Sequence, residues 1–157
     1  MPRGFILTDI VNKKTRSRMM AGIRGKDTKP ELLIRRELHK RGFRYRLHVK
    51  DLPGKPDLVF PKYHAVIFIN GCFWHGHNCH LFRLPKSRTE FWKEKIYGNV
   101  KRNKLNIKKL RSMDWRVLTI WECSLKGKTR INTPDLINQV SKWLKSNIHN
   151  KEISGRK

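Results

Sequence analysis

A chain of 157 residues with 37 Lys and Arg against 12 Asp and Glu carries a formal charge of +25, a field that attracts a polyanion and displaces its counterions. The length suits one domain, which buries about two-thirds of its unfolded surface without disulfides. No apolar stretch approaches the roughly 18 residues of a spanning helix, and Phe5-Ile6-Leu7 is too short for a signal-peptide core. A soluble, cytoplasmic protein without a membrane partner, binding nucleic acid, is therefore expected. Three cysteines cannot all pair, and clustered Cys and His in a reducing compartment point to metal rather than to bridges.

In chain order, residues 1–14 read as a basic arm, residues 15–147 as a single domain and residues 148–157 as a frayed basic tail. A short helix is expected over Thr15 to Arg24, with Met19, Met20 and Ile23 on neighbouring turns. Thr28-Lys29-Pro30-Glu31 reads as a capping box opening a second helix, which Leu33, Ile34 and Leu38 anchor and Gly42 ends. Phe43, Tyr45, Leu47 and Val49 alternate with polar residues, as in a half-exposed strand. Leu58 to Phe60 and His64 to Asn70 make two more strands around Pro61-Lys62-Tyr63. Ser87-Arg88-Thr89-Glu90 reads as a second capping box for a basic helix running to Ser112. Trp115 to Trp121 is a buried strand, and a last helix opens at Thr133-Pro134-Asp135. Three consecutive strands followed by a helical crossover give an α/β fold, a mixed sheet of four or slightly more strands flanked by helices.

Gly71 to Cys79 holds two thiols, two imidazoles and two aromatics directly after an apolar strand. Zinc takes four N or S ligands, and a short loop supplies three while a distant residue closes the shell. Cys72, His77, Cys79 and Cys123 form such a set, with His75 and His80 as further candidates by spacing. Pro53-Gly54-Lys55-Pro56-Asp57 delivers a carboxylate to the start of one strand, and an antiparallel turn brings it to Ile69 and Asn70 at the end of the next. Asp57 and the Ile69 carbonyl are then placed to hold Mg²⁺. His75, beyond them, suits a general base, and Glu31 can join from the facing helix. The ordinary alternatives are a plain turn for Pro53 to Asp57, helix capping of Thr28 for Glu31, and zinc ligation or a plain surface position for His75.

Phe73-Trp74 offers rings able to enter a base step. Trp92, Lys95, Asn99 and Arg102 or Asn103 share one helix face, which suits stacking, phosphate contact and base-edge hydrogen bonding. The surrounding lysines add affinity without sequence information.

These segments, with Thr15-Arg16-Ser17, Leu52 to Asp57, Gly71 to His75, Arg88 to Trp92, Glu94-Lys95-Ile96 and Trp115 to Leu118, resemble the very-short-patch-repair (Vsr) DNA mismatch endonucleases of bacteria. The resemblance spans Thr15 to Trp143. It implies a restriction-endonuclease-like core and Mg²⁺-dependent nicking of one strand 5′ of the thymine in a T:G mismatch, the product of 5-methylcytosine deamination. It implies Asp57 as the magnesium carboxylate, His75 as base, Glu31 in support, structural Zn²⁺ on Cys72, His77, Cys79 and Cys123, and Phe73, Trp74 and Trp92 as a wedge, with Met20 meeting it from the other groove. A monomer on double-stranded DNA is expected. The chain departs from some family members in having Ile69 for threonine, which a backbone carbonyl tolerates, and in Asn70 and Asn103 for acidic or histidine positions. Asn70 joins the catalytic set without being able to act as an acid, which leaves protonation of the leaving oxygen to water. A related nuclease without mismatch preference, and a zinc-stabilised DNA-binding protein that no longer cuts, are the competing readings.

Overall fold

The computed structural model describes residues 29–156, so the expected arm, the helix over Thr15 to Arg24, Met20 and the Thr28 half of the first capping box lie outside the described residues. Helix α1 (Lys29–Lys40) buries Ile34 and Leu38. It ends where the sequence signals: Gly42 takes φ +91°, its N–H reaches His39 O at 3.0 Å, and the Phe43 N–H reaches Leu38 O at 3.1 Å. That pair of bonds satisfies the last carbonyls and packs Phe43 back on the helix.

The alternating stretch that follows pairs over only Arg46–Leu47 (β1). Both residues are exposed, and His48 turns into positive φ (+55°), so the expected seven-residue strand is cut to a short edge. Strands β2 (Leu58–Phe60) and β3 (Ala65–Asn70) are joined by a 3₁₀ turn over Pro61–Tyr63. Helix α2 (Thr89–Ser112) then crosses to β4 (Arg116–Trp121). The second capping box does not form. Arg88 occupies the cap position with φ +54° and no side-chain cap bond, and Thr89 Oγ1 donates instead to the carbonyls of Pro85 and Lys86, each at 3.0 Å. Helix α3 (Thr133–Leu144) is capped by Asn132, whose side chain accepts from Asp135 N at 3.0 Å.

Residues 150–153, read from sequence as part of a frayed tail, form β5 (Asn150–Ile153). They pair parallel to β4, and Ile153 is buried. The sheet order is β1-β2-β3-β4-β5, antiparallel through β3 and parallel from β3 to β5. Alternation sorts the two faces. Ile67, Leu118 and Ile120 face α1 and α3 in one cluster, while Val66, Phe68 and Val117 meet Leu110 and Ile107 of α2 in another. In the β3–β4 register, Asn70 stands opposite Trp121. Cys72 and Cys123 each follow two residues later, so the register itself brings their loops together.

Candidate active site and metal centre

Cys72, His77, Cys79 and Cys123 gather beyond these paired strand ends, with one ligand atom from each lying within 4.8 Å of all the others. His77 Nδ1 is 3.5 Å from Cys72 Sγ and 3.6 Å from Cys123 Sγ. A tetrahedral ion bound at about 2.3 Å by sulfur and about 2.0 Å by nitrogen would separate such atoms by about 3.5 Å. The donor set and its spacing thus fit Zn²⁺ and identify Nδ1 as the ligating nitrogen. Among the described residues, His75 and His80, left open by sequence spacing, lie outside this cluster. Burial raises the Cys72 and Cys123 thiols, with neighbouring Cys79 adding to the rise in both, and a bound cation reverses that balance by stabilising thiolate. Two further contacts shape the loop. Cys72 N–H donates to Glu122 Oε1 at 3.1 Å. Gly76 takes φ +59°, where a Cβ would come within 2.8 Å of Ile96, so this turn presses its backbone on α2 as only glycine can.

Asp57 Oδ2 accepts from the Ile69 N–H at 2.6 Å, bringing the carboxylate to the end of β3. N–H and C=O of one extended residue project to the same side, so the Ile69 carbonyl faces that way too. Glu31 is 4% exposed and is held by Arg35 at 3.1 Å. Burial, opposed by the Ile69 N–H and reinforced by Glu31, pushes the Asp57 carboxyl up to about 7. Half-buried Asp57 and buried Glu31, with a carbonyl beside them, form an all-oxygen donor set suited to a small hard cation such as Mg²⁺.

At the end of β3 and in the loop after it, the Asn70 Nδ2 and His75 Nδ1 atoms are buried without a hydrogen-bond partner among the described residues. Burial lowers the His75 pKa, favouring the neutral imidazole. His75 also lines a cavity of about 340 Å³ with Asn103, Lys104, Thr119 and Trp121.

The three expected wedge rings form one cluster: centroids of Phe73 and Trp74 are 5.2 Å apart, Phe73 and Trp92 5.6 Å, Trp74 and Trp92 6.1 Å. Trp92 is 2% exposed, so it backs the other two, and the accessible ring surface belongs to Phe73 and Trp74. The expected helix face is only partly free. Asn99 Nδ2 donates to Trp74 O at 2.9 Å and its oxygen accepts from Arg102, so this amide anchors the aromatic loop rather than facing outward for a base edge. Lys95 is half-buried and Arg102 exposed. Sequence reasoning missed Trp121, whose ring stacks on His77 at 4.1 Å, and Glu122. Neither residue type carries a metal-site signal by itself.

A mixed α/β sheet with a Cys/His cluster after β3 and a carboxylate at the end of the same strand defines a nuclease-like site, and sequence comparisons agree with it. The family model described as DNA mismatch endonuclease Vsr matches residues 8–81. The DNA mismatch endonuclease Vsr of Escherichia coli (strain K12) is 41% identical over 138 residues, covering 88% of this chain and 88% of that protein. The type II nicking enzyme V.XorIIP of Xanthomonas oryzae pv. oryzae is 45% identical over 119 residues (76% and 88%), and V.NmeAIP of Neisseria meningitidis serogroup A 48% over 122 residues (78% and 87%). The chain belongs to the Vsr DNA mismatch endonuclease family. It is accordingly an endonuclease with a restriction-endonuclease-like core.

Proposed function

We propose that this protein nicks one strand of double-stranded DNA 5′ of the thymine in a T:G mismatch, acting as a cytoplasmic monomer that needs Mg²⁺ and carries a structural Zn²⁺. The observation that carries the reading is the Asp57 carboxylate bonded to the Ile69 N–H at 2.6 Å beside buried Glu31, at the strand end from which the Cys/His loop departs. Asp57 and the Ile69 carbonyl would hold Mg²⁺, which supplies charge stabilisation on the scissile phosphate. Arg35 keeps Glu31 oriented toward Asp57. His75, neutral through burial, takes a proton from the attacking water as the bond from phosphorus to the leaving oxygen breaks. The Asn70 amide offers a neutral donor to the phosphate.

Phe73 and Trp74, backed by Trp92, act as the wedge, and a mispaired step resists unstacking less than a paired one. Lys95 and Arg102 contact phosphates. A nicking assay on T:G and fully paired duplexes, with and without Mg²⁺, tests the reading. Nicking confined to the T:G duplex with Mg²⁺ supports it. Equal nicking of both duplexes would indicate a nuclease without mismatch preference, and binding without nicking a protein that no longer cuts.

A further inference from the structure

The last strand and the residues after it reach the Cys/His cluster through three contacts. Ser154 Oγ lies 3.4 Å from His77 Nε2, the ring nitrogen facing away from the sulfurs. The Gly155 N–H donates to Cys123 Sγ at 3.2 Å. Glu152 accepts from Trp121 Nε1 at 2.7 Å, and that ring lies flat on His77, with 11° between planes.

The approach of Gly155 is built in. A Cβ at this position would collide with Thr129 Oγ1 and lie 2.6 Å from Cys123 O, so only glycine lets the backbone N–H reach the sulfur. The segment is then tied down, since Arg156 N donates to Thr129 O at 2.7 Å and its guanidinium to Arg130 O and Lys128 O at 2.9 and 3.2 Å.

We propose that Ser154 and Gly155 are positioning residues of the zinc site that set how tightly it keeps its metal. This rests on the zinc reading above. An imidazole bound through Nδ1 carries its proton on Nε2, and an acceptor there fixes the tautomer and strengthens the ligand. Three thiolates around one divalent cation leave an excess of negative charge, and the Gly155 N–H donor stabilises it on Cys123. Groups in this position typically change metal affinity about 10- to 100-fold.

The test uses the full-length, zinc-loaded chain and follows zinc release to an excess of a chromogenic chelator. Ser154→Ala is expected to release zinc about 10-fold faster, Ser154→Thr at the wild-type rate, and Gly155→Ala at least as fast as Ser154→Ala. In Co²⁺-substituted protein, Gly155→Ala is expected to shift the sulfur-to-cobalt charge-transfer band. Release from Ser154→Ala at the wild-type rate, or from Ser154→Thr as fast as from Ser154→Ala, overturns the proposal. An unchanged cobalt band in Gly155→Ala does so as well. Should Gly155→Ala fail to fold, the two Ser154 variants decide alone. Folded wild-type protein that takes up no zinc overturns both this proposal and the zinc reading, whereas zinc-loaded protein with unchanged release overturns this one only.

Discussion

At Asp57 a carboxyl pushed up to about 7 by burial, with Glu31 contributing, has a direct consequence for stability. In magnesium-free buffer the folded Asp57 keeps a proton that the unfolded chain loses near pH 4, so stability falls as pH rises from about 4 to about 7. The loss should be on the order of 2 to 4 kcal/mol. Thermal unfolding should show this fall in the wild type and not in Asp57→Asn, where the lowered His75 pKa leaves stability rising with pH instead. Because a cation must displace that proton, Mg²⁺ should raise the melting temperature more at pH 8 than at pH 5. For activity, Asp57→Ala should abolish nicking while leaving DNA binding within about twofold, since it removes the cation's carboxylate and none of the basic surface; Mg²⁺-dependent cutting by this variant would move the metal elsewhere. Elemental analysis should find one zinc per chain. Cys123→Ala, which opens the shell between the two loops, should lose it and unfold at a clearly lower temperature.

On the scale of elements, the buried Arg116 side chain adds a polar tie to the apolar packing between the sheet and α3. The Arg116 guanidinium donates to Trp143 O and Leu144 O at 3.1 and 2.8 Å, capping the end of α3, and to Tyr63 O at 3.1 Å in the β2–β3 connection. It also stacks on the Trp143 ring at 4.7 Å. Arg116→Met keeps the apolar stem but orphans these carbonyls, and about 3 kcal/mol of stability should be lost. Urea titration should report this as a lower midpoint with an unchanged slope. The aromatic loop is coupled to α2 in a similar way through Asn99 and Trp92. Trp74→Ala should therefore lose more activity on T:G duplex than on DNA already gapped at that step; the wild-type ratio and rate on T:G and T:A duplexes would make this ring packing alone.

The molecule as a whole carries its charge on a surface that the core does not need. Exposed Lys101, Arg102, Lys104, Lys108 and Arg111 line the outside of α2, beyond its buried Trp92, Ile96 and Leu110. Affinity for DNA should weaken steeply with salt, each neutralised phosphate adding about −0.9 to the slope of log K against log salt. A slope near zero, measured by titration from low to moderate salt, would remove the +25 charge as the main source of binding. Among the described residues no helix is long and apolar enough to cross a membrane.

Periodicity, capping and charge are local or additive, so the chain alone determined much of the order of strands and helices, the Gly42 stop, the long basic helix and the pull toward a polyanion. The Cys/His cluster was legible for a related reason, since three of its four members fall within eight residues. What depends on register was not. Cys123 groups with Cys72 on the sequence alone, but the register that seats them together, Asn70 opposite Trp121 across two parallel strands, and the turning of His77 Nδ1 toward the sulfurs came only with the structure. Asn150–Ile153 has the polar composition of a loose end, and only a β4 edge with unpaired backbone groups makes it a strand. Ser87 matched a capping pattern, yet the chain entered α2 from another direction and left its side chain unused. Burial of Trp92, the engagement of Asn99 and the raised Asp57 carboxyl are likewise properties of neighbours distant in sequence, and only the tertiary structure decided them.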